Sequence, residues 1–355
     1  MSKHANLAAA KRAKNDEFYT RLTDIEKELK HYRKHFRGKV VFCNCDDPFE
    51  SNFFKYFVLN FNRLGLKKLI TTCYEGSAVA DYRDGKAKPY KAVVTVVHDT
   101  TGDGGIDMDD VRELFEMGEN ELTELEGDGD FRSEECLALL EEADVVVTNP
   151  PFSLFREYVA TLMEHKKKFV VIGNMNTVTY KEFFPLIKDD LVWPGFSFNK
   201  TMEFCLPDSY EKWNRVDESG HKIGKVSAIA WFTNLDIKKR HEELILVKKY
   251  AGHEDEYPKY DNYDAIEVSR VVNIPLDYAG EMGVPISFLD KYNPDQFEII
   301  GHFNASRDHD PMYGYVQSDY AETEDGKYYN GPVLNRRRLY ARIIIRNRHP
   351  ETLTC

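Results

Sequence analysis

The chain predicts an α/β fold, on three observations. Short apolar, β-branched runs recur at Val40-Val41-Phe42, Lys68 to Cys73, Ala92 to Val97, Val145 to Val147 and Phe169 to Ile172. Segments with apolar residues at three-and-four spacing lie between several of them. With 355 residues, 42% of them hydrophobic and 13% aromatic, the chain can bury a large core and form two domains. Strands alternating with helices argue a parallel sheet, whose inner strands are apolar on both faces.

Residues 1–14 read as a basic mobile arm carrying Lys11, Arg12 and Lys14. Residues 21–37 read as a helix, with Leu22, Ile25, Leu29, Tyr32 and Phe36 on one face. The Val40 strand, an aromatic-rich helix from Phe53 to Phe61, the Lys68 strand and the Ala92 strand follow. Residues 101–128, rich in acids around Gly102-Asp103-Gly104-Gly105, read as an acidic insertion or flexible loop with a helical piece. A short helix from Cys136 to Glu142 precedes the Val145 strand, and a helix from Phe155 to Glu164 precedes the Phe169 strand. Met202 to Leu206 and Val226 to Phe232 read as two closing strands. Near residue 235 the composition changes to a stretch rich in Tyr, Asp, Lys and His, then short strands and turns, so a domain boundary is expected at 235–245.

The net charge of −12 is unevenly spread. Residues 101–142 hold 16 acids against 2 basic residues, a net of −14, which leaves the rest of the chain at +2. Basic clusters stand at Lys30–Lys39 and at Arg336, Arg337, Arg338, Arg342, Arg346 and Arg348. Binding answers to the field of one face, so a polyanionic partner is not excluded. The first cluster reads as a solvated face and the second as partly structural. No G-x-G-x-x-G or G-x-x-x-x-G-K-[ST] loop is present, which argues against a nicotinamide or P-loop enzyme. The six cysteines, at 43, 45, 73, 136, 205 and 355, have no zinc spacing. Met1-Ser2-Lys3-His4 opens no apolar signal, and no run approaches membrane-spanning length. These features point to a reduced, cytoplasmic protein without a structural metal.

The Val145 strand stops at Asn149-Pro150-Pro151-Phe152. Two consecutive prolines hold this loop extended and stiff, at a strand's carboxyl end, where open α/β sheets place their chemistry. It offers an Asn side-chain oxygen, a rigid carbonyl and an aromatic face. An exocyclic amine on a planar base is a poor nucleophile, because its lone pair is delocalised into the ring. Two acceptors, Asn149 Oδ1 and the Pro150 carbonyl, can hold its two hydrogens and favour a pyramidal nitrogen, while Phe152 stacks on the base. Other acidic and aromatic pieces suit a nucleoside: Asn15 to Thr20 before the first strand, Asn44-Cys45-Asp46-Asp47-Pro48 after it, and Gly129-Asp130-Phe131.

Asn149-Pro150-Pro151-Phe152 resembles the catalytic motif of S-adenosylmethionine-dependent amino-methyltransferases. Asp16-Glu17-Phe18-Tyr19-Thr20 resembles the methionine-binding motif that precedes the sheet in the γ motif order. From about residue 14 to 346 the chain is similar to EcoRI-type adenine-specific DNA methyltransferases. The similarity includes Asn44 to Pro48, Ile172-Gly173-Asn174-Met175-Asn176, Met282-Gly283-Val284-Pro285-Ile286 and Leu289-Asp290-Lys291-Tyr292-Asn293-Pro294. The resemblance implies a Rossmann-like S-adenosylmethionine-dependent methyltransferase fold over 15–238, with a C-terminal target-recognition region over 239–355. It implies N6-methylation of an adenine flipped out of double-stranded DNA, by a monomer with or without a cognate restriction enzyme, and no metal. Phe18, Tyr19 and Thr20 would meet the methionine end of the cofactor, Asp130 and Phe131 its adenine, and Asn149 to Phe152 the target base. One of Asn44, Asp46 and Asp47 would meet the cofactor's amino group, in a motif where Pro48 replaces the usual glycine. Glu75 would be a ribose ligand. Arg336, Arg337 and Arg338 are expected on DNA phosphates. Two rivals remain: a protein glutamine-N5 methyltransferase, which usually has Tyr in place of Phe152, and an inactive DNA-binding regulator, which would show broken cofactor positions.

Overall fold

The computed structural model describes residues 19–44, 49, 51–74, 89–206, 213–217, 220–226, 228–306 and 310–351. The arm at 1–14, Phe18, Asp46, Asp47, Pro48 and Glu75 lie outside them. One compact unit takes the described residues up to Met175 and those from Gly195 to Leu235; a second takes Asn176–Pro194 and the described residues from Asp236 onward.

The first unit is built on a mixed sheet. Its strands are β2 (Val40–Cys43), β3 (Lys68–Thr72), β4 (Tyr90–Val94), β5 (Glu121–Glu124), β6 (Val145–Thr148), β7 (Lys168–Asn174) and β11 (Ile229–Thr233). They lie in the order β5-β4-β3-β2-β6-β7-β11. The central pairs β3–β2, β2–β6 and β6–β7 are parallel, and β2 and β6 are buried along their whole length, as the continuous apolar runs require. The flanking pairs are antiparallel: β4 on β3, β5 on β4 and β11 on β7. The expected parallel sheet thus forms the centre, and antiparallel strands extend it at both sides.

Helices α1 (Leu22–Leu29), α2 (Asn52–Leu59), α3 (Met108–Glu116), α4 (Glu134–Glu142) and α5 (Phe155–Glu164), with a single helical turn at Phe61–Leu64 after α2, complete this unit. Ser51 caps α2 by accepting from Phe53 N at 3.1 Å, and the helix buries Phe53, Phe54, Tyr56 and Phe57. The helix expected over 21–37 ends at Leu29 and resumes as a 3-10 turn at Arg33–His35; Tyr32 and Phe36 are still fully buried. Glu28 holds the break together. Its buried carboxylate accepts from Tyr32 Oη at 2.8 Å and from the Phe196 and Ser197 amides at 2.6 and 2.9 Å. Burial raises its pKa above the ordinary value.

The acidic segment holds the expected helical piece, α3, and adds the strand β5. Asp107 and Asp110 form a capping box on α3, and β5 is the sheet edge, with all four side chains exposed. Exposure is why acids are tolerated there. Asn120 ties the segment to the chain after β4, accepting from Thr95 N at 2.9 Å and donating to the Val96 carbonyl at 2.9 Å. The two expected closing strands also differ. β8 (Met202–Leu206) joins a separate antiparallel sheet, β1-β8-β10-β9, with β1 (Tyr19–Thr20), β9 (Arg215–Val216) and β10 (Lys222–Val226). The run from Val226 splits at Ala228, which has φ +62°, and β11 then enters the main sheet.

The second unit carries α6 (Phe184–Lys188) and a sheet ordered β12-β13-β19-β14. Its strands are β12 (Ile266–Glu267), β13 (Met282–Pro285), β14 (Phe297–Phe303) and β19 (Arg342–Asn347). Tyr260, Ala265, Phe303, Val316 and Ile344 form a core. His302 is buried beside Phe184, ring centroids 5.0 Å apart, and burial pulls its pKa down to about 4. Two short hairpins follow, β15 (Ala321–Glu322) with β16 (Tyr328–Tyr329) and β17 (Val333–Leu334) with β18 (Arg337–Arg338). The second turns at Asn335 and Arg336, both at positive φ, as a two-residue type I′ turn demands. Asp261 accepts from their amides at 3.0 and 2.7 Å. No helix among the described residues is long and apolar enough to cross a membrane.

Candidate active site

The strand order fixes where a ligand can sit. β2 has β3 on one side and β6 on the other, so the chain winds outward in both directions from β2 and β6. Their carboxyl ends flank the topological switch point, where open sheets bind ligands. Asn44 follows β2 and Asn149 follows β6.

The Asn149-Pro150-Pro151-Phe152 loop is well braced. Asn149, Pro151 and Phe152 are half-buried and Pro150 is buried. The Pro151 carbonyl accepts from Leu154 N at 2.9 Å, which turns the chain into α5. Phe155, the first residue of α5, sits on Gly173 of β7: a Cβ there would lie 2.4 Å from the Phe155 ring. That close approach gives a physical reason for the glycine in the Ile172-Gly173-Asn174 motif.

Asn44 is 3% exposed and held from both sides of Asn149. Its backbone carbonyl accepts from the Thr148 hydroxyl, and its Oδ1 accepts from the Tyr158 hydroxyl. Tyr158, on α5, is buried and packs edge-to-face on Phe131, with centroids 5.0 Å apart at 72°. Phe131 is itself buried, with the Arg132 guanidinium 5.2 Å from its ring. The Asp130 carboxylate is paired with Arg132, at 2.8 Å from Nε and 2.5 Å from a terminal nitrogen. This pairing holds its pKa below the usual carboxylate value. Arg132 also reaches Glu157 of α5 at 3.2 Å. Adjacent residues of α5 thus anchor the loop at 129–132.

Gly129 brings that loop onto the end of β3. It has φ +77°, and a Cβ would meet the Cys73 carbonyl oxygen at 2.0 Å. Asn44, Cys73, Asp130, Phe131 and Asn149 are thereby joined at the carboxyl ends of β2, β3 and β6. Thr20 lies on β1; its carbonyl accepts from Asn52 Nδ2 at 2.8 Å, and its buried hydroxyl has no hydrogen-bond partner among the described residues. The buried Thr72 hydroxyl, at the end of β3, has none either. Buried, unsatisfied hydroxyls at these places fit a polar ligand. Thr148 and Tyr158 were not singled out in the sequence; a hydroxyl ending an apolar strand run is the one hint for Thr148.

In the second unit the three arginines of the predicted phosphate site each meet an acid of the β15–β16 hairpin. Arg336 is 3.1 Å from Glu322, Arg337 is 2.8 Å from Glu324 and Arg338 is 3.1 Å from Asp325. Arg338 also lies 5.1 Å from the Tyr329 ring centroid. Arg342 pairs with the buried Glu267 at 2.7 Å, and Arg346 with Glu281 at 2.9 Å. No group of three or more His, Cys, Asp or Glu with metal-binding geometry occurs among the described residues.

The family model for the adenine-specific methyltransferase EcoRI matches residues 6–348. The type II methyltransferase M.EcoRI of Escherichia coli is 48% identical over 300 residues, which cover 83% of this chain and 88% of that protein. The type II methyltransferase M.MpnI of Mycoplasma pneumoniae is 38% identical over 349 residues, covering 96% and 97%. M.MgeORF184P of Mycoplasma genitalium, also a type II methyltransferase, is 38% identical over 296 residues, covering 82% and 84%. No solved structure matches. With the match running through both units and through the Asn-Pro-Pro-Phe loop, the chain belongs to the EcoRI family of adenine-specific DNA methyltransferases.

Proposed function

We propose that the protein transfers the methyl group of S-adenosylmethionine to N6 of an adenine turned out of double-stranded DNA at a specific site. The observation that carries this reading is the Asn149-Pro150-Pro151-Phe152 loop at the end of β6, beside the switch point. N6 is paired inside a duplex, so the base must leave the stack to be reached. Asn149 Oδ1 and the Pro150 carbonyl accept the amine's two hydrogens, and Phe152 stacks on the ring. S-adenosylmethionine, when bound, supplies an already activated methyl on a sulfonium, so the chain's main task is positioning and no metal is called for.

The residues around the switch point suit that cofactor. Asp130 and Phe131 take its adenine, and Phe18, Tyr19 and Thr20 its methionine end, with the orphan Thr20 hydroxyl as the supporting observation. Asp46, Asp47 and Pro48 contribute to the same end by their motif. Residues 239–355 serve as the target-recognition region, with Arg336, Arg337 and Arg338 toward phosphates. The enzyme acts as a cytoplasmic monomer, with or without a cognate restriction enzyme. Sequencing genomic DNA from cells expressing the protein, with detection of N6-methyladenine, tests the reading. Modified adenine in one sequence context is expected. Its absence, with the protein folded and S-adenosylmethionine present, overturns the assignment.

A further inference from the structure

We propose that Asn44 acts as a hydrogen-bond donor to the carboxylate of the cofactor's methionine end, and that Tyr158 is the positioning residue that makes it one. The proposal rests on the methyltransferase reading above and goes further, because the resemblance left Asn44, Asp46 and Asp47 as alternative partners for the cofactor's amino group. The Asn44 backbone carbonyl accepts from the Thr148 hydroxyl, and its side-chain Oδ1 is turned to the buried Tyr158 hydroxyl. With Oδ1 turned to Tyr158, the opposite side of the amide presents the Nδ2 pair of N–H groups, which can only donate. An amino-acid end carries an ammonium and a carboxylate. A donor pair matches the carboxylate and is repelled by the ammonium.

The orientation is set firmly. Asn44 and Tyr158 are 3% and 1% exposed, and the Tyr158 ring is fixed against Phe131, a predicted adenine contact. Tyr158 lies on the helix that leaves the catalytic loop, and Thr148 immediately precedes Asn149. Asn44 is therefore fixed from the element that also carries the methyl acceptor's site.

The test uses the full-length protein, calorimetry and two probes. S-adenosylhomocysteine carries the amino-acid end; 5′-methylthioadenosine lacks it. Asn44→Asp keeps an acceptor for Tyr158 but replaces the donor pair with a negative oxygen. It should lower S-adenosylhomocysteine affinity about tenfold or more and leave 5′-methylthioadenosine within about twofold. Tyr158→Phe keeps the ring and loses the hydroxyl. It should lower S-adenosylhomocysteine affinity roughly three- to tenfold, again sparing 5′-methylthioadenosine, with the effect on KM for S-adenosylmethionine rather than on kcat. Equal or tighter S-adenosylhomocysteine binding by Asn44→Asp would show an ammonium acceptor and overturn the proposal. A parallel loss of both probes would also overturn it, as general damage to the pocket, and an unaffected Tyr158→Phe would remove the role of Tyr158. Failure of the unsubstituted protein to bind either probe would instead sink the methyltransferase reading.

Discussion

Gly129→Ala is the sharpest probe of how the site is assembled. Two costs arise. Alanine in the left-handed region costs about 1–2 kcal/mol. Its Cβ would also stand 2.0 Å from the Cys73 carbonyl oxygen, where ordinary contact begins at 3.4 Å. The obstacle is backbone, so the loop must retreat by more than an ångström, taking Asp130 and Phe131 with it. A misplacement of about 1 Å can cost a hundredfold in rate. The strain alone should lower Tm by about 2–8 °C, at 2–4 °C per kcal/mol for a unit of this size. Scanning calorimetry, S-adenosylhomocysteine titration and methyl transfer to duplex DNA measure the three effects. Gly127→Ala is the control, since a Cβ there meets nothing within 4 Å. Indistinguishable Gly129→Ala and Gly127→Ala proteins would refute the argument that the loop is seated on β3.

Asn149→Ala should reduce methyl transfer roughly a hundred- to thousandfold, about 2.7–4 kcal/mol, with cofactor affinity nearly unchanged; near-normal turnover on DNA would remove Asn149 from the chemistry. Arg336→Ala with Arg337→Ala deletes two cations and leaves Glu322 and Glu324 unneutralised. DNA affinity should fall on cognate and non-cognate sequences alike, and the salt slope flatten by about one to two units; an unchanged slope would leave these arginines as hairpin braces only. The Asp110 carboxylate accepts from the Asp107, Thr101 and Thr100 amides, which hold its pKa well below the ordinary 3.8. A depressed folded-state pKa contributes stability that is full above the unfolded value and drains away as pH falls below it. Asp110→Asn should therefore lower Tm at neutral pH and lose less than the unsubstituted protein on acidification below pH 3.8; parallel acid profiles would contradict this.

Strand β6, its loop and α5 were legible because each has a local signature. A strand buried on both faces shows an unbroken apolar run, two prolines stop it, and α5 matches its apolar spacing from Phe155 to Glu164. Strand direction was not legible. Periodicity marks β4 and β11 as strands but carries no sign, and the sheet pairs them antiparallel. The break at Ala228 left no trace, since a left-handed alanine looks like any other in sequence. Asn44 and Tyr158 are 114 positions apart; only the pairing of β2 with β6 brings them together, and no spacing rule spans it. The arginines at 336–338 were visible as charge, but their acidic partners belong to a neighbouring hairpin and appear only once both hairpins are folded.

The acidic edge has a consequence for encounters. A bare sheet edge invites a further strand from another chain, and β5 presents exposed Glu121 and Glu124 there, with Leu122 also exposed between them. Carboxylates at such a rim discourage edge-to-edge association. The same charges act at longer range. A segment of net −14 on a chain otherwise near neutrality concentrates negative charge in the first unit, so an approaching polyanion is repelled from this rim before any contact forms. Orientation is thus selected during diffusion, over about 10 Å at 0.1 M ionic strength, and productive collisions become a larger share of all collisions as salt is lowered.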